Sequence, residues 1–238
     1  MKVRYLIKYS KGSNIKFVSH LDIMRAIQRT VKRAGLPAEY SKGFNPHMSM
    51  SIAQPLSVGI YSEGEYFDLR LKEEVSEDKI KEAFNNAATS DLRAVDVIKI
   101  EKEYYDSGKK VESSMAIIEA ATYIMKIRYK NIDKLKEEIE KIIKSEDWSI
   151  LKKTKKSEKI VNIKGMVKKI SYKIKENTLE VETLIAAGSR ENLSPDLLCE
   201  YIKTHTSEVL ENVFSDIKRV EMYALKNKKL VELYRYFV

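Results

Sequence analysis

A helix followed by an exposed loop is encoded between residues 19 and 64, in the stretch SHLDIMRAIQRTVKRAGLPAEYSKGFNPHMSMSIAQPLSVGIYSEG. Ser19 is a typical N-cap residue, and Asp22 three positions later makes an acidic variant of the capping box. Gly35 can take the left-handed position that ends a helix, and Pro37 prevents its continuation. These signals predict a helix over residues 19–35. Its apolar residues recur at three- and four-residue spacing and form one predicted stripe: Leu21, Met24, Ile27, Val31 and Ala34.

The basic residues of this helix lie away from the apolar stripe. At about 100° per residue they fall on one side of the helix. No acidic residue intervenes between Asp22 and Glu39, whereas an ordinary solvated helix face mixes both signs of charge. The pattern therefore favours contact with phosphates over a merely solvated face. We call this set the basic ridge: Arg25, Arg29, Lys32 and Arg33.

The segment YSKGFNPH (40–47) follows the helix. Its glycine and its Asn-Pro pair are typical of a loop that displays its side chains. Tyr40 and Phe44 could stack on nucleic-acid bases, or they could simply anchor the loop. The candidate nucleic-acid-binding residues of this loop are Tyr40, Lys42, Phe44, Asn45 and His47.

Two histidines are candidate catalytic residues. His20 lies in the first turn of the predicted helix, and His47 ends the loop. Either could hydrogen-bond a phosphate or act as general base on a ribose hydroxyl. The alternative is a structural role for each, and the sequence leaves their distance from each other open.

Composition excludes several classes of protein. With 238 residues, 43% hydrophobic and 33% charged, the chain is typical of a globular protein. It has no apolar run of the roughly 20 residues that cross a bilayer, and its N-terminus lacks a signal-peptide pattern, so we expect a cytoplasmic protein without membrane contact. The single cysteine, Cys199, cannot build a disulfide framework or a Cys-ligated cluster, and we expect a buried core residue there. We predict no metal and no cofactor.

The net charge of +9 is unevenly distributed. Residues 1–62 hold ten Lys/Arg against two acids, residues 63–110 nine against thirteen, and residues 126–175 seventeen against seven. Two basic zones separated by an acidic one favour binding to a polyanion. A secondary contact is predicted for the basic run Lys152, Lys153, Lys155 and Lys156.

The predicted elements follow the order β-α-β-β-α-β twice. This order predicts an α+β protein of two tandem ferredoxin-like units with antiparallel sheets. The first unit would be residues 1–110 and the second residues 111–238, with a linker around 103–114. The predicted strands are 3–11, 49–56, 64–72, 92–100, 121–130, 148–155, 179–187 and 215–225, the predicted helices besides 19–35 are 76–88, 131–146 and 194–205, and 156–178 adds strand-like material.

The N-terminal third resembles the bacterial radical-SAM-linked protein family, a domain of unknown function. The resemblance implies a partner: such domains are fused to, or encoded beside, radical SAM enzymes, which implies a role in RNA maturation or modification. The chain has no CxxxCxxC, so the radical SAM cluster would belong to that partner. The matching pieces are Ser19-His20-Leu21-Asp22, Met24-Arg25, Arg29, Lys32-Arg33, Leu36-Pro37, Tyr40-Ser41, Gly43-Phe44-Asn45-Pro46-His47, Pro55-Leu56, Gly59 and Ser62-Glu63-Gly64-Glu65.

Three functions remain open at this point. The first is a non-catalytic module that binds ribosomal or transfer RNA for a radical SAM enzyme. The second is a metal-independent endoribonuclease similar to CRISPR repeat-processing enzymes, an analogy at the level of fold. The third is a subunit that docks on the radical SAM enzyme without contacting RNA.

Overall fold

The computed structural model describes residues 2–101, 104, 108, 110–153 and 158–238. The predicted linker falls partly outside these residues, as do Lys155 and Lys156 of the predicted basic run. The strands are β1 Val3–Lys11, β2 Met50–Ile52, β3 Ile60–Leu71, β4 Leu92–Ile100, β5 Ile118–Arg128, β6 Ser149–Lys153, β7 Glu158–Asn162, β8 Val167–Lys175, β9 Thr178–Ala186, β10 Asp216–Lys226 and β11 Lys229–Glu232. The helices are α1 His20–Arg33, α2 Glu77–Ala87, α3 Ser114–Ile117, α4 Leu135–Lys144, α5 Pro195–Thr204 and α6 Leu233–Tyr236.

The protein is a mixed α+β fold with mostly antiparallel strand pairing, which confirms the predicted class. It divides into two compact units: Met1–Glu119 together with Arg219–Val238, and Ala120–Lys218. The division of the sequence at residues 110 and 111 stays a prediction.

The first unit contains a sheet covered on one face by α1 and α2. Strand β1 lies between β3 and β4, antiparallel to both, and the short β2 pairs with β3. Alternate residues of a strand point to opposite faces of the sheet. Tyr5 and Ile7 of β1 therefore pack in the same core as Ile27 of α1 and Phe84 of α2. The opposite face carries polar residues of the same strands, among them Arg4.

The second unit has two antiparallel groups of strands. Strand β9 lies between β5 and β8, and β6 pairs with β7 as a separate hairpin. Helix α4 buries Leu135, Ile139 and Ile142, which recur at four- and three-residue spacing and lie on one face. Cys199 of α5 is buried, and burial raises the pKa of its thiol, as expected of a core residue.

Two predicted strand boundaries are wrong. The predicted strand 49–56 forms a ladder only over Met50–Ile52, because Pro55 has no N–H to donate and the chain turns before Ile60. Strand β3 begins at Ile60 rather than at residue 64. Gly59 has φ +94°, which permits the turn between the two strands.

Candidate nucleic-acid interface

Helix α1 begins where the sequence predicts, with Ser19 as its N-cap. The backbone N–H of Asp22 donates to the Ser19 hydroxyl at 3.3 Å, and that hydroxyl donates to the Asp22 carboxylate at 2.7 Å. Hydrogen bonds from Ser19 and from Arg25 lower the pKa of Asp22 below its ordinary value. These contacts fix the start of the helix and therefore the direction of the basic ridge.

The buried stripe of α1 differs from the predicted one at its first turn. Leu21, predicted to face inward, is 54% exposed. The helix instead buries Ile23 along with Ile27 and Val31. A stripe that includes residue 23 covers the same side of the helix from residue 27 onward, and the spacing of apolar residues alone does not separate the two choices.

Three members of the basic ridge are presented to solvent without a buried partner. Arg25 forms a 2.9 Å ion pair with Asp22 in which both side chains are more than half exposed, so solvent weakens it. Arg29 and Lys32 are exposed. Arg33 is exposed as well, but its guanidinium donates to the carbonyl of Ala87, at 3.0 Å from Nη2, at the C-terminal end of α2. Arg33 thus ties α1 to α2, whereas Arg25, Arg29 and Lys32 are the ridge residues that do not bind α2.

The loop after α1 is closed at its base. The Ser41 amide donates to the His47 carbonyl at 2.8 Å, and the His47 amide donates to the Ser41 hydroxyl at 2.9 Å. Tyr40 and Met48 form an antiparallel bridge just outside this pair. At the tip, Gly43 has φ +130°, a region that favours glycine.

Phe44 stands at the tip of this closed loop and is fully exposed, at 102% of its reference area. Lys42, Asn45 and His47 are exposed beside it. A large apolar side chain held fully in water costs free energy, and its presence on a well-anchored loop points to a binding partner. We call residues 41–47 the Phe44 loop.

Tyr40 joins the ridge to the Phe44 loop. Its side chain is half-buried, and the Lys32 ammonium lies 5.8 Å from the centre of its ring. That distance is within the range of a cation–π contact. Tyr40 therefore anchors the loop against the end of α1, whereas Phe44 is the aromatic ring available for stacking.

The structure gives the two histidines different surroundings. His20 lines a cavity of about 10 Å³ together with Lys11 and Glu65, and partial burial lowers its pKa below the ordinary value of 6.5. A cavity of this size holds about one water molecule and is too small for a ribose. His47 is exposed at the base of the Phe44 loop. No hydrogen bond joins the two histidines in the described part of the chain.

Glu65 and Arg219 form a buried ion pair near His20 that the sequence does not predict. Glu65 and Arg219 lie 3.0 Å apart, with side chains 2% and 3% exposed. Burial raises the pKa of Glu65, an effect that Arg219 opposes, and burial lowers the pKa of the nearby Lys11. The two partners are 154 positions apart, so no local pattern could indicate the contact.

An exposed aromatic residue near α1 was also missed. Phe17 is 60% exposed, and the Lys16 ammonium lies 5.5 Å from its ring centre. A Lys-Phe pair just before a basic helix is the signal that could have indicated it.

Across the described ranges, no group of three or more His, Cys, Asp or Glu residues is arranged to hold a metal ion. None of the helices in those ranges is both long and apolar enough to cross a membrane.

Comparison with known proteins identifies a family. Residues 4–195 match the family model described as "Uncharacterized protein conserved in bacteria (DUF2344)". The chain belongs to this family. The match covers the basic ridge, the Phe44 loop and most of the second unit, so the candidate interface lies within the family domain. No curated protein matches the sequence.

Two solved structures resemble the chain at low similarity. One is an unknown protein from Galdieria sulphuraria, with 10% identity over 98% of this chain and 99% of that one, and a TM-score of 0.24. The other is described as "putative glycine cleavage system transcriptional repressor", with 12% identity over 91% of this chain and 96% of that one, and a TM-score of 0.24. Likenesses this weak carry no argument about fold or function.

Proposed function

We propose that this DUF2344 protein is a non-catalytic RNA-binding module. The observation that carries the proposal is Phe44, fully exposed at the tip of a closed loop that is joined to α1 by the contact of Tyr40 with Lys32. Phosphates of an RNA would contact Arg25, Arg29 and Lys32, and an unpaired base would stack on Phe44.

The physical chemistry of the two surfaces fits a single-stranded or looped RNA. Basic side chains on one helix face contribute affinity that depends on salt and not on sequence. Base stacking on an aromatic ring adds about 1–3 kcal/mol per base. A ridge joined through Tyr40 to a loop with an exposed ring therefore favours an RNA in which a helical or extended backbone leads into an unpaired base.

The first unit supports a finer fold proposal. We infer a ferredoxin-like arrangement there, because its elements follow the order β-α-β-β-α-β through β4. Its strand neighbours are β4, β1, β3 and β2, and α1 and α2 pack on the same face. For the second unit the same arrangement is proposed on the predicted order of elements alone.

The partner we propose is a radical SAM enzyme that modifies or matures ribosomal or transfer RNA. The motif resemblance supports this assignment. In this proposal the protein presents the RNA, and the enzyme supplies the chemistry. A pull-down of such an enzyme from the protein's own cells, repeated after nuclease treatment, tests it: capture that is lost with nuclease indicates that RNA bridges the two proteins.

Binding is tested by titrating fluorescent structured RNAs with the protein and with a variant in which Arg25 and Arg29 are alanine. We expect the variant to bind more weakly at low salt and to depend less on salt. An equal affinity and an equal salt slope for both proteins would contradict the assignment of the ridge.

The endoribonuclease alternative is tested by incubating the same RNAs with the protein without metal ions and then measuring their length. Under this alternative the RNAs are cleaved, and His47→Ala abolishes the cleavage.

A docking surface for a protein is the second candidate, and the exposed apolar side chains favour it. Phe44, Phe17 and Val58 are each more than half exposed, and exposed apolar groups often mark protein interfaces. Under this alternative the purified chain binds no RNA. It captures the radical SAM enzyme even after nuclease treatment, and Phe44→Ala weakens that capture.

A further inference from the structure

Strand β8 lies at an edge of the sheet in the second unit. In the described part of the chain it pairs with β9 alone, and this pairing extends from Val167 to Lys175. In an antiparallel pair, alternate residues point their N–H and C=O groups away from the partner strand. Along its nine residues, β8 therefore directs backbone hydrogen-bonding groups outward. Edges of this kind can pair with an extended segment of another chain.

The two faces of β8 carry different side chains. Tyr172 and Ile174 are half-buried. They are paired with Val181 and Leu179 of β9, which are buried, so this face of β8 borders the core. Ile170 is half-buried on the same face. The opposite face carries four exposed polar residues: Lys169, Ser171, Lys173 and Lys175.

The charges on this exposed face change sign from one strand to the next. Glu180 of β9 is paired with Lys126 of β5 on one side and with Lys173 of β8 on the other. The Lys126 ammonium lies 3.6 Å from the Glu180 carboxylate. Opposite charges at directly opposed positions stabilise a sheet. A strand added beside β8 would therefore fit best if it placed acidic residues on this face.

The lysines at the two ends of β8 have no acidic residue opposite them. Lys169 is paired with Leu184 and Lys175 with Thr178. Within the described residues, neither ammonium has an ion-pair partner. Lysines on an edge strand oppose pairing with a second copy of the same strand, because like charges would then face each other. The edge thus disfavours self-association and favours an acidic partner.

We propose that the free edge of β8 binds an extended segment of a partner protein in which acidic and apolar residues alternate. The acidic side chains pair with the three lysines of β8, and the apolar side chains pack beside Tyr172 and Ile174. Backbone hydrogen bonds supply affinity, and the side-chain pattern supplies selectivity. The site lies entirely in the second unit and does not rest on the proposed RNA-binding function.

Fluorescence anisotropy of a labelled peptide, titrated with the full chain, tests the proposal. The peptide alternates glutamate and valine over about seven residues, close to the length of a typical strand. One control has lysine in place of glutamate, and the other has the same composition with all glutamates before the valines. We expect saturable binding of the alternating acidic peptide and at least about tenfold weaker binding of each control. Absence of saturable binding, or equal affinity for the lysine peptide, would overturn the proposal.

Methylation of the peptide's backbone nitrogens tests whether the peptide pairs with β8 as a strand. Two further peptides carry N-methyl groups on one or the other set of alternate residues. Only one set of N–H groups can face β8. One methylated peptide should therefore bind like its parent and the other at least about tenfold more weakly. Equal affinity of the two methylated peptides would contradict strand pairing.

A charge reversal in the protein localises the binding. Lys169→Glu combined with Lys175→Glu changes two positions that have no acidic residue opposite them in β9. This variant should bind the acidic peptide at least about tenfold more weakly and the lysine peptide more tightly. The control is Lys134→Glu combined with Lys136→Glu, at exposed positions at the start of α4. Far-ultraviolet circular dichroism confirms that both variants are folded, and equal affinity of the two for the acidic peptide would overturn the proposal.

Discussion

Ser41 and His47 hold each other through two hydrogen bonds, one from the Ser41 amide to the His47 carbonyl and one from the His47 amide to the Ser41 hydroxyl. The pair closes the loop that presents Phe44. A loop with a fixed base loses less conformational entropy when it binds than an open one. The geometry of this pair therefore contributes to affinity without touching the ligand.

Ser41→Ala removes the side-chain half of this closure. The loss of one hydrogen bond in an exposed loop should reduce RNA affinity by about three- to fivefold while leaving the thermal midpoint nearly unchanged. Amide hydrogen exchange at His47 should become faster in the variant. Ser57→Ala, which changes another exposed serine of the first unit, is the matched control. If both variants bind RNA as the unmodified protein does, the closure is irrelevant to binding.

Phe44→Ala should weaken RNA binding without changing the stability of the protein. The side chain is fully exposed, so its removal should not lower the free energy of unfolding. Loss of one stacked base should weaken RNA binding by about 1–3 kcal/mol, or about 5- to 150-fold. Fluorescence anisotropy measures RNA binding, and urea unfolding measures the free energy of unfolding. Phe214→Ala, at another exposed phenylalanine, should bind RNA normally.

Substitution of Arg25 and Arg29 by alanine should change the salt dependence of binding. Each lost phosphate contact lowers the slope of log K against log salt by about 0.7 for single strands and about 0.9 for duplexes. The double variant should therefore lose about 1.4 to 1.8 in slope. A double alanine variant at Lys79 and Lys81, which are exposed on α2, removes the same charge from a different surface. An equal drop in slope for both pairs would indicate a diffuse charge effect without a specific ridge.

Only part of this arrangement could be read from the sequence. The start of α1 and the loop after it follow from local signals, namely Ser19, Asp22 and the glycine and proline positions. The exposure of Leu21 could not be predicted, because two overlapping apolar stripes satisfy the same spacing. The contact of Arg33 with the carbonyl of Ala87 joins residues 54 positions apart and depends on how two helices pack.

The burial of both faces of β1 was still harder to predict. Strand β1 reads as an alternating strand with one apolar face, yet Leu6 and Arg4 of its other face are buried as well. Both faces are covered because residues from distant parts of the chain, among them Ser114, pack on the second face. Charged residues within the strands, such as Glu65 in β3, are a local sign of these contacts.

Gly64→Ala should destabilise the first unit. A Cβ at this position would lie 2.4 Å from the carbonyl oxygen of Val220, a backbone atom that cannot move aside. We expect a cost of about 1–3 kcal/mol in the free energy of unfolding, measured with urea. Gly165→Ala is the control, because a Cβ there meets no atom within 4 Å. A similar small effect for both substitutions would contradict the close approach of β3 and β10.

The stability of the protein should depend on pH through His20. Burial lowers its pKa below 6.5 in the folded protein, so the unfolded chain binds the proton first as the pH falls. Above pH 6.5 His20 is neutral in both states and does not reduce the free energy of unfolding. As the pH falls from about 6.5 towards the lower folded pKa, the free energy of unfolding decreases. His20→Gln should show a smaller loss of stability between pH 7.5 and 5.5 in urea unfolding. A His20 pKa at or above 6.5, measured by NMR, would contradict the assignment.

The central claim is that this protein binds RNA through the basic ridge and the Phe44 loop. Ultraviolet crosslinking in the protein's own cells, with the sites mapped on both molecules, tests it most directly. We predict crosslinks from residues 25–47, with Phe44 foremost, to one defined ribosomal or transfer RNA. Recovery of no RNA above background, or crosslinks confined to other parts of the chain, would contradict it.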